Sequence, residues 1–403
     1  MIGVLMVILF VPLGLFWSLW LLFAAMAALP AKSSGRQACR LNKECCLIDI
    51  LIPAHDEELL LPELLKSLRE QTAAGKSRMG MILVIADHCT DATAAFARSF
   101  GATVLERSTG PRGKPAALRD GLDFLKVRTR HALMILDADC VCCANYLEAM
   151  ADALDAGNLA LQSASLLVPE NATTTSPLSP SQLAFALKDF IRPQGMSWLG
   201  IPTQLFGTGM CFHPDVLHSD ALCFHDHLAE DLALSHHLLL RGISVAFVAD
   251  AMIRSPLPTT SAAMSQQKLR WETGQVQTWR KIPSLLVKLL LAFRWRSAIA
   301  LLDWSAPPLA MAVFTWVMLT VVTFILIACR LISPWIVLAP LSTIAILALY
   351  VLIGTLQLAT LGAVVRLTLA VPRFLLWKAA LYLRMLTGHF PTHWQRTPRG
   401  AVK

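Results

Sequence analysis

Chemistry-bearing side chains collect in four short stretches of this 403-residue chain. ALMILDADC, Ala132 to Cys140, drives apolar residues into Asp137 and Asp139, with one alanine between them. Two carboxylates leaving a strand end on one side can share a hard cation, Mg2+ or Mn2+, held through oxygen with substrate phosphates. The plainer use of such a pair is helix capping. Lys114 in RGKPAAL opens a helical pattern beside Arg112 and Gly113. A helix start with a lysine suits a phosphate, although a solvated basic turn has the same letters. It is not a Walker loop, because the Gly-x4-Gly-Lys-Ser/Thr spacing is absent. Glu230 and Asp231 precede another helical run. There a carboxylate either caps the helix or, facing a cation site, takes a proton from a hydroxyl as general base. In QKLRW, Gln267, Arg270 and Trp271 stand close together on a helix, where Trp and Arg also suit an interfacial anchor.

Elements must present these groups together. CLIDILIPA reads as a strand, Glu57 to Leu68 as a helix, and MILVIAD as a second strand ending on Asp87. CTDATAAFARSFG is a helix with Thr90 or Asp91 as its cap and Gly101 as its stop. ATVLER is a third strand, GKPAALRDGLDFL a helix, and ALMILDAD a further strand. This alternation predicts an α/β fold with a mostly parallel sheet covered by helices on both faces. Ligands bind such sheets beyond the carboxyl ends of the strands, where Asp87, Asp137 and Asp139 should converge. Residues 163 to 182, rich in Ser, Thr and Pro, read as a loop into a second half. That half holds the glycine turn FGTGMCF, an acidic helix start and a later strand. Gln266 to Phe293 reads as one or two helices at a membrane surface, so the domain boundaries fall near residues 30, 46, 255, 298 and 365.

The chain is 55% hydrophobic and 15% charged, and the apolar excess is localised. It falls in Ile2–Ala28, Leu309–Cys329 and Trp335–Ala363, each long enough to cross a hydrocarbon core of roughly 30 Å. The first run lacks a basic n-region, contains Pro12 and is long for a cleaved signal peptide, which favours a retained anchor. Lys32, Arg36, Arg40 and Lys43 follow it, and Arg366, Arg373, Lys378 and Arg384 follow the last run. The positive-inside rule then gives a multi-pass inner-membrane protein with its globular region and C-terminus, including the basic tail HWQRTPRG, in the cytoplasm. A reducing compartment disfavours disulfides among the ten cysteines. The clusters Cys45–Cys46 and Cys140, Cys142, Cys143 lack the paired spacing of a zinc site. The sequon Asn171-Ala172-Thr173 faces the wrong side. The net charge of +8 is concentrated near the apolar runs, which fits anionic lipid headgroups and not nucleic acid.

In order along the chain, LIPAHDEE, VIADHCTD, GKPAAL, DAD, GTGM, AED and QKLRW resemble the membrane-integrated family-2 glycosyltransferases. This group contains the cellulose, chitin and hyaluronan synthases, and ceramide-glucosyltransferase-like enzymes share two of the motifs. The resemblance covers most of residues 48 to 275 and implies a GT-A fold with a nucleotide-sugar donor. It implies that Pro53, Ala54, His55 and Glu57 cradle the nucleoside, that Asp87 contacts its base, and that Lys114 lies near the nucleotide. It gives Asp137 and Asp139 to the metal and diphosphate, Asp231 to the catalytic base with Glu230 beside it, and Gly207, Thr208 and Gly209 to the acceptor sugar. Gln267, Arg270 and Trp271 match the surface-helix motif, in which Trp stacks on the acceptor and Arg approaches the diphosphate. His55 replaces the family's usual Tyr-Asn, and Ala229 its common Thr before Glu-Asp.

The expectation is thus an inverting, Mg2+- or Mn2+-dependent transferase that extends a polysaccharide or lipid-linked glycan from a UDP-sugar. A cation with Arg and Lys stabilises the charge on a departing nucleoside diphosphate, and one base with direct displacement gives inversion. Three spans make a thin wall for a polymer channel, which calls for self-assembly or export partners. The alternative is an enzyme adding one sugar to a lipid, and the distant one a non-catalytic transporter or scaffold.

Overall fold

The computed structural model describes residues 2–29, 47–126, 131–168, 178–219, 222–224, 229–258 and 260–387. Lys32 to Cys46, the sequon at Asn171 and the tail HWQRTPRG lie outside the described residues. The chain divides into two compact units. One comprises Met1–Ala31, Thr175–Leu199 and Ala306–Leu386, and the other Lys32–Thr174, Gly200–Ser305 and Thr387–Lys403.

The second unit is built on one sheet. Its strands are β1 (Ile48–Ala54), β2 (Met79–Asp87), β3 (Thr103–Arg107), β4 (Ala132–Ile135), β5 (Val141–Cys142), β6 (Ala160–Val168), β7 (Met210–Phe212) and β8 (Val245–Pro256). They lie in the order β3-β2-β1-β4-β7-β6-β8-β5. β1 pairs in parallel with β2 and β4, and β2 with β3, while β7 runs antiparallel between β4 and β6. Along β1, Ile48, Ile50 and Ile52 enter one apolar layer with Leu61, Leu64, Leu65 and Leu68 of the helix Leu61–Arg69. Leu51 enters the other, with Ala117, Leu118 and Leu122 of the helix Lys114–Lys126. Both faces are therefore covered, which is why the strand reads as a near-continuous apolar run. Each fully buried Leu or Ile there contributes about 1.5–3 kcal/mol.

Register explains how the functional edge is assembled. β1, β2 and β4 all end on the same side. Ile135, near the end of β4, pairs with Met210 at the start of antiparallel β7. The Gly207–Gly209 turn is thereby delivered beside Asp137, and the amide of Gly209 donates to the Ile135 carbonyl at 2.9 Å. The expected loop from residue 163 is corrected, because β6 continues to Val168 in parallel pairing with β8. Ser163 and Ser165 are buried there; the ladder to β8 outweighs the turn preference of serine. The helix expected from Glu57 starts at Leu61 instead, because Glu57 and Glu58 are drawn into bonds with the loop after β2.

The first unit contains three helices long and apolar enough to cross a membrane: Gly3–Ala27, Leu309–Ala328 and Pro334–Leu358. The 26-residue helix Leu361–Leu386 follows and carries Arg366, Arg373, Lys378 and Arg384. Ile2–Ala27 packs along Leu338–Leu358 and Arg192–Trp198. Trp20 lies 5.4 Å from the Tyr350 ring, and the Arg192 guanidinium stands 4.1 Å over Trp20. Between the helices Pro180–Ala186 and Arg192–Trp198 runs one π-helical turn, Leu187–Ile191. Tyr350 donates to the Leu187 carbonyl in that turn at 3.1 Å.

Candidate active site

The edge is organised from β2 outward. Asp87 ends β2 and is 4% exposed. One oxygen accepts from Arg107 and stands 2.8 Å from His88 Nδ1, and the other accepts the Gly113 amide at 2.8 Å. Arg107 also reaches Asp120 and the Pro111 carbonyl. Asp87, expected at the nucleoside base, thus has both oxygens engaged inside the protein. What they fix is the turn from which the helix Lys114–Lys126 departs. Such a carboxylate, bonded to a guanidinium and an amide, forms charge-assisted bonds of the stronger kind.

From that helix start Lys114 reaches across to the second group of strands. Its Nζ donates to Asp137 Oδ1 and to the Gly207 carbonyl, each at 2.6 Å, and lies 3.9 Å from Glu230 Oε1. Burial opposes the charge on Lys114. Asp137, Glu230 and Asp231 nevertheless outweigh burial and hold the ammonium above its ordinary value. The Asp137 amide donates to Thr208 Oγ1 at 3.0 Å. Glu230 and Asp231 form the first turn of the helix Glu230–Leu240. Burial first, then the neighbouring Asp231 and Asp137 charges, push Glu230 up to about 7 against the opposing pull of Lys114. Asp231 Oδ1 accepts the Leu232 amide at 2.8 Å.

Two glycines make the close approach feasible. Gly207 (φ 82°) would place a Cβ 3.3 Å from Asp231 Oδ2 and 3.4 Å from Lys114 Nζ. Gly209 (φ 68°) would place one 1.9 Å from Ser163 Oγ. Both adopt the left-handed conformation that glycine alone enters without steric cost.

The helix Ser261–Thr278 carries QKLRW, and Thr260 caps it by accepting the Ala263 amide at 3.2 Å. Burial lowers Arg270, and the carboxylates of Glu230, Asp137 and Asp231 act in the opposite direction. Arg270 therefore belongs to the same electrostatic cluster as Lys114. Gln267 Oε1 is buried without a hydrogen-bond partner. Trp271 lies 5.2 Å beneath Lys268 Nζ.

Lys114, Asp137, Gly207, Thr208, Glu230, Asp231 and Arg270 are thus brought together. Asp139 stands in the turn just after Asp137, partly exposed. Gly209 sits behind the cluster, supporting it. Pro53, Ala54, His55 and Glu57 lie at the end of β1: His55 Nδ1 is 2.6 Å from the Asp87 carbonyl, and the Glu57 amide donates to Thr93 at 2.8 Å. The sequence reading missed three supports. Arg107 has the same strand-end position that singled out Asp87. Gln162 is fully buried, donates to the Thr208 carbonyl at 2.8 Å and accepts the Phe206 amide at 2.9 Å. Ser235 accepts the Leu205 amide at 2.8 Å while donating to the Asp231 carbonyl at 2.7 Å, tying turn to helix. For Gln162 and Ser235 the available signal was a polar residue inside an apolar pattern.

Comparisons with known proteins follow this geometry. The model of the glycosyltransferase-like family 2 matches residues 48–274. Mannosyltransferase PcManGT from Pyrobaculum calidifontis, solved with GDP-Man and Mn2+, is 16% identical. It aligns over 87% of this chain and 97% of its own, with a TM-score of 0.51, a likeness of fold. S. aureus TarS 1-349 with UDP-GlcNAc is 15% identical over 60% and 66%, at a TM-score of 0.42. Glucosyl-3-phosphoglycerate synthase from Mycobacterium tuberculosis is 18% identical over 61% and 83%, at 0.41. No curated protein matches the sequence.

Proposed function

The chain belongs to the glycosyltransferase-like family 2 and is a glycosyltransferase; from that premise we propose an inverting, metal-dependent enzyme of the inner membrane that moves a sugar from a UDP-sugar to a growing polysaccharide or lipid-linked glycan. The observation that supports it best is the convergence of Lys114 on Asp137, Gly207 and Glu230, within the field of Asp231 and Arg270.

A divalent cation fits this edge. Asp137 and Asp139 offer only oxygen donors, both partly exposed, and hard cations take one or two carboxylates plus substrate phosphates. These two residues would hold it, and when bound it supplies neutralisation of the diphosphate charge. PcManGT is a fold relative solved with a nucleotide-sugar and Mn2+, in keeping with that assignment.

The protein's own residues account for the rest. Pro53, Ala54, His55 and Glu57 receive the nucleoside, while Asp87 acts through Arg107 and Gly113 to place Lys114. Asp231 Oδ2 takes the proton of the acceptor hydroxyl. The freed oxygen bonds to the anomeric carbon on the face opposite the diphosphate. The carbon–oxygen bond to the diphosphate breaks, its electron pair leaving on the phosphate oxygen, and configuration inverts. Lys114 and Arg270 face that developing charge as fixed donors. Glu230, near half-protonated at neutral pH, limits the negative charge beside Asp231. Gly207 keeps space for the acceptor, with Thr208 and Gly209 shaping the turn, and Gln267 and Trp271 complete the acceptor side.

Nucleotide release measured with UDP-glucose, UDP-N-acetylglucosamine, UDP-galactose and GDP-mannose tests the proposal. Release from one donor, abolished by a chelator, is expected; no release from any donor overturns it. Labelled donor should yield a ladder of products. The three candidate spans favour a second reading, single addition to a lipid, which a single discrete glycolipid would establish instead. The basic helix Leu361–Leu386 supports a cytoplasmic catalytic unit, and anionic lipids, self-assembly or export partners complete the proposed setting.

A further inference from the structure

We propose that His55, Asp56 and Cys89 form a second cation site, of the zinc class, at the ends of β1 and β2 and separate from Asp137 and Asp139. One ligand atom from each of the three lies within 4.8 Å of the others. Among the described residues no other trio of His, Cys, Asp and Glu draws together this closely.

Each ligand is oriented by a partner. His55 Nδ1 stands 2.6 Å from the Asp87 carbonyl, which can only accept, so the hydrogen sits on Nδ1 and Nε2 carries the lone pair. That Nε2 is 3.8 Å from Asp56 Oδ2. Asp56 Oδ1 accepts the Thr90 amide at 2.7 Å, and the Asp56 amide in turn donates to Cys89 Sγ at 3.5 Å. A histidine that donates its second ring nitrogen to a carbonyl, beside a hydrogen-bonded carboxylate, is the usual outer-shell arrangement of metal ligands. Asp56 (φ 53°) and His88 (φ 52°) both adopt left-handed backbone here. Backbone strain of this kind gathers where surrounding structure needs a particular side-chain direction.

The donor set decides the class of ion. One nitrogen, one oxygen and one sulfur suit a borderline cation such as Zn2+ or Co2+, in contrast to the all-oxygen set at Asp137 and Asp139. Three protein ligands leave a position open, and the His55 and Asp56 side chains, 29% and 23% exposed, leave an approach from solvent. The sequence search for paired cysteines passed over this site because its ligands come from two loops, with Asp56 and Cys89 33 residues apart. Resting on the family-2 reading of Pro53 to Glu57 as the nucleoside cradle, the inference adds that an occupying ion alters donor binding.

The test uses the full chain in detergent, metal-free and reduced, with excess Mg2+ to fill the oxygen site. Titrated Co2+ should bind at one equivalent with a near-ultraviolet thiolate charge-transfer band that Zn2+ bleaches. Cys89→Ser should lose the band, and His55→Ala should weaken Co2+ binding by about tenfold or more. Cys143→Ser and Asp139→Ala should keep it. Zn2+ should raise the melting temperature of the wild type and not of Cys89→Ser, whose metal-free melting temperature checks its fold. No band in the wild type, or a band that survives Cys89→Ser, overturns the site. A Zn2+-independent donor KM overturns the link to donor binding alone. An intact band in a chain that releases nucleotide from no donor overturns the functional reading and leaves the cation site standing.

Discussion

Lys114 Nζ lies 2.6 Å from Asp137 Oδ1 and 3.9 Å from Glu230 Oε1, so one buried ammonium bridges the strand-end aspartate and the helix-start glutamate. Removing it leaves acids facing one another and takes away a donor to the leaving diphosphate. Lys114→Ala is expected to lower kcat/KM for nucleotide release by about 100-fold or more, the cost of losing one fixed charge-stabilising donor. Steady-state kinetics on the purified chain check this, and a loss under fivefold would contradict it.

Asp231 and Glu230 are adjacent, yet their variants should behave differently. Asp231→Asn is expected to remove kcat while leaving donor KM near the wild-type value, since the base acts on the acceptor. Glu230→Gln should retain measurable turnover with an altered pH profile. Equal loss in both variants would argue against a single base.

The proton on Glu230 also makes stability depend on pH. Its folded value of about 7 lies above the ordinary 4.5, so between those values the folded chain holds a proton that the unfolded chain has released. The stabilisation is complete below about pH 4.5 and is lost as pH rises to about 7. Glu230→Gln should therefore gain in melting temperature, relative to wild type, at pH 8 over pH 5. The same difference at both pH values would sink the claim.

Gly207 and Gly209 separate function from stability. Gly209→Ala meets Ser163 Oγ at 1.9 Å and adds about 1–2 kcal/mol of left-handed strain, so a lower melting temperature is expected. Gly207→Ala bears similar strain, but its Cβ meets Asp231 and Lys114. Its activity should fall by more than its stability explains, which paired thermal melts and turnover measurements will show.

Chelation should abolish transfer, and Mg2+ or Mn2+ should restore it in the wild type. Asp139→Ala should stay inactive at any concentration of either ion while still inserting into membranes. Restored turnover in that variant would remove Asp139 from the cation site.

The strand ends were legible in sequence because each carries an apolar run that stops at a charge: Ile85-Ala86-Asp87 and Ile135-Leu136-Asp137. Lys114 was legible for a similar reason, a charge at a helical start after Gly113. Arg107 was not, since its partners Asp87 and Asp120 are brought to it by parallel pairing of β2 with β3. Ser163 looked like the start of a loop by composition, and only the ladder with β8 reveals it as buried strand. The segment Pro180–Trp198 gave no sign that it groups with the apolar helices, because periodicity within a segment carries no information about its distant neighbours.

The π turn Leu187–Ile191 also sets a phase. It holds one residue more than an α-helical turn, so deleting any one of the five would rotate everything after it by about 100° about the helix axis. Arg192 would swing off the face of Trp20, where it now stands at 4.1 Å. Alignment of that helix face thus depends on a residue count, and substitution of individual side chains in the turn would leave it unchanged.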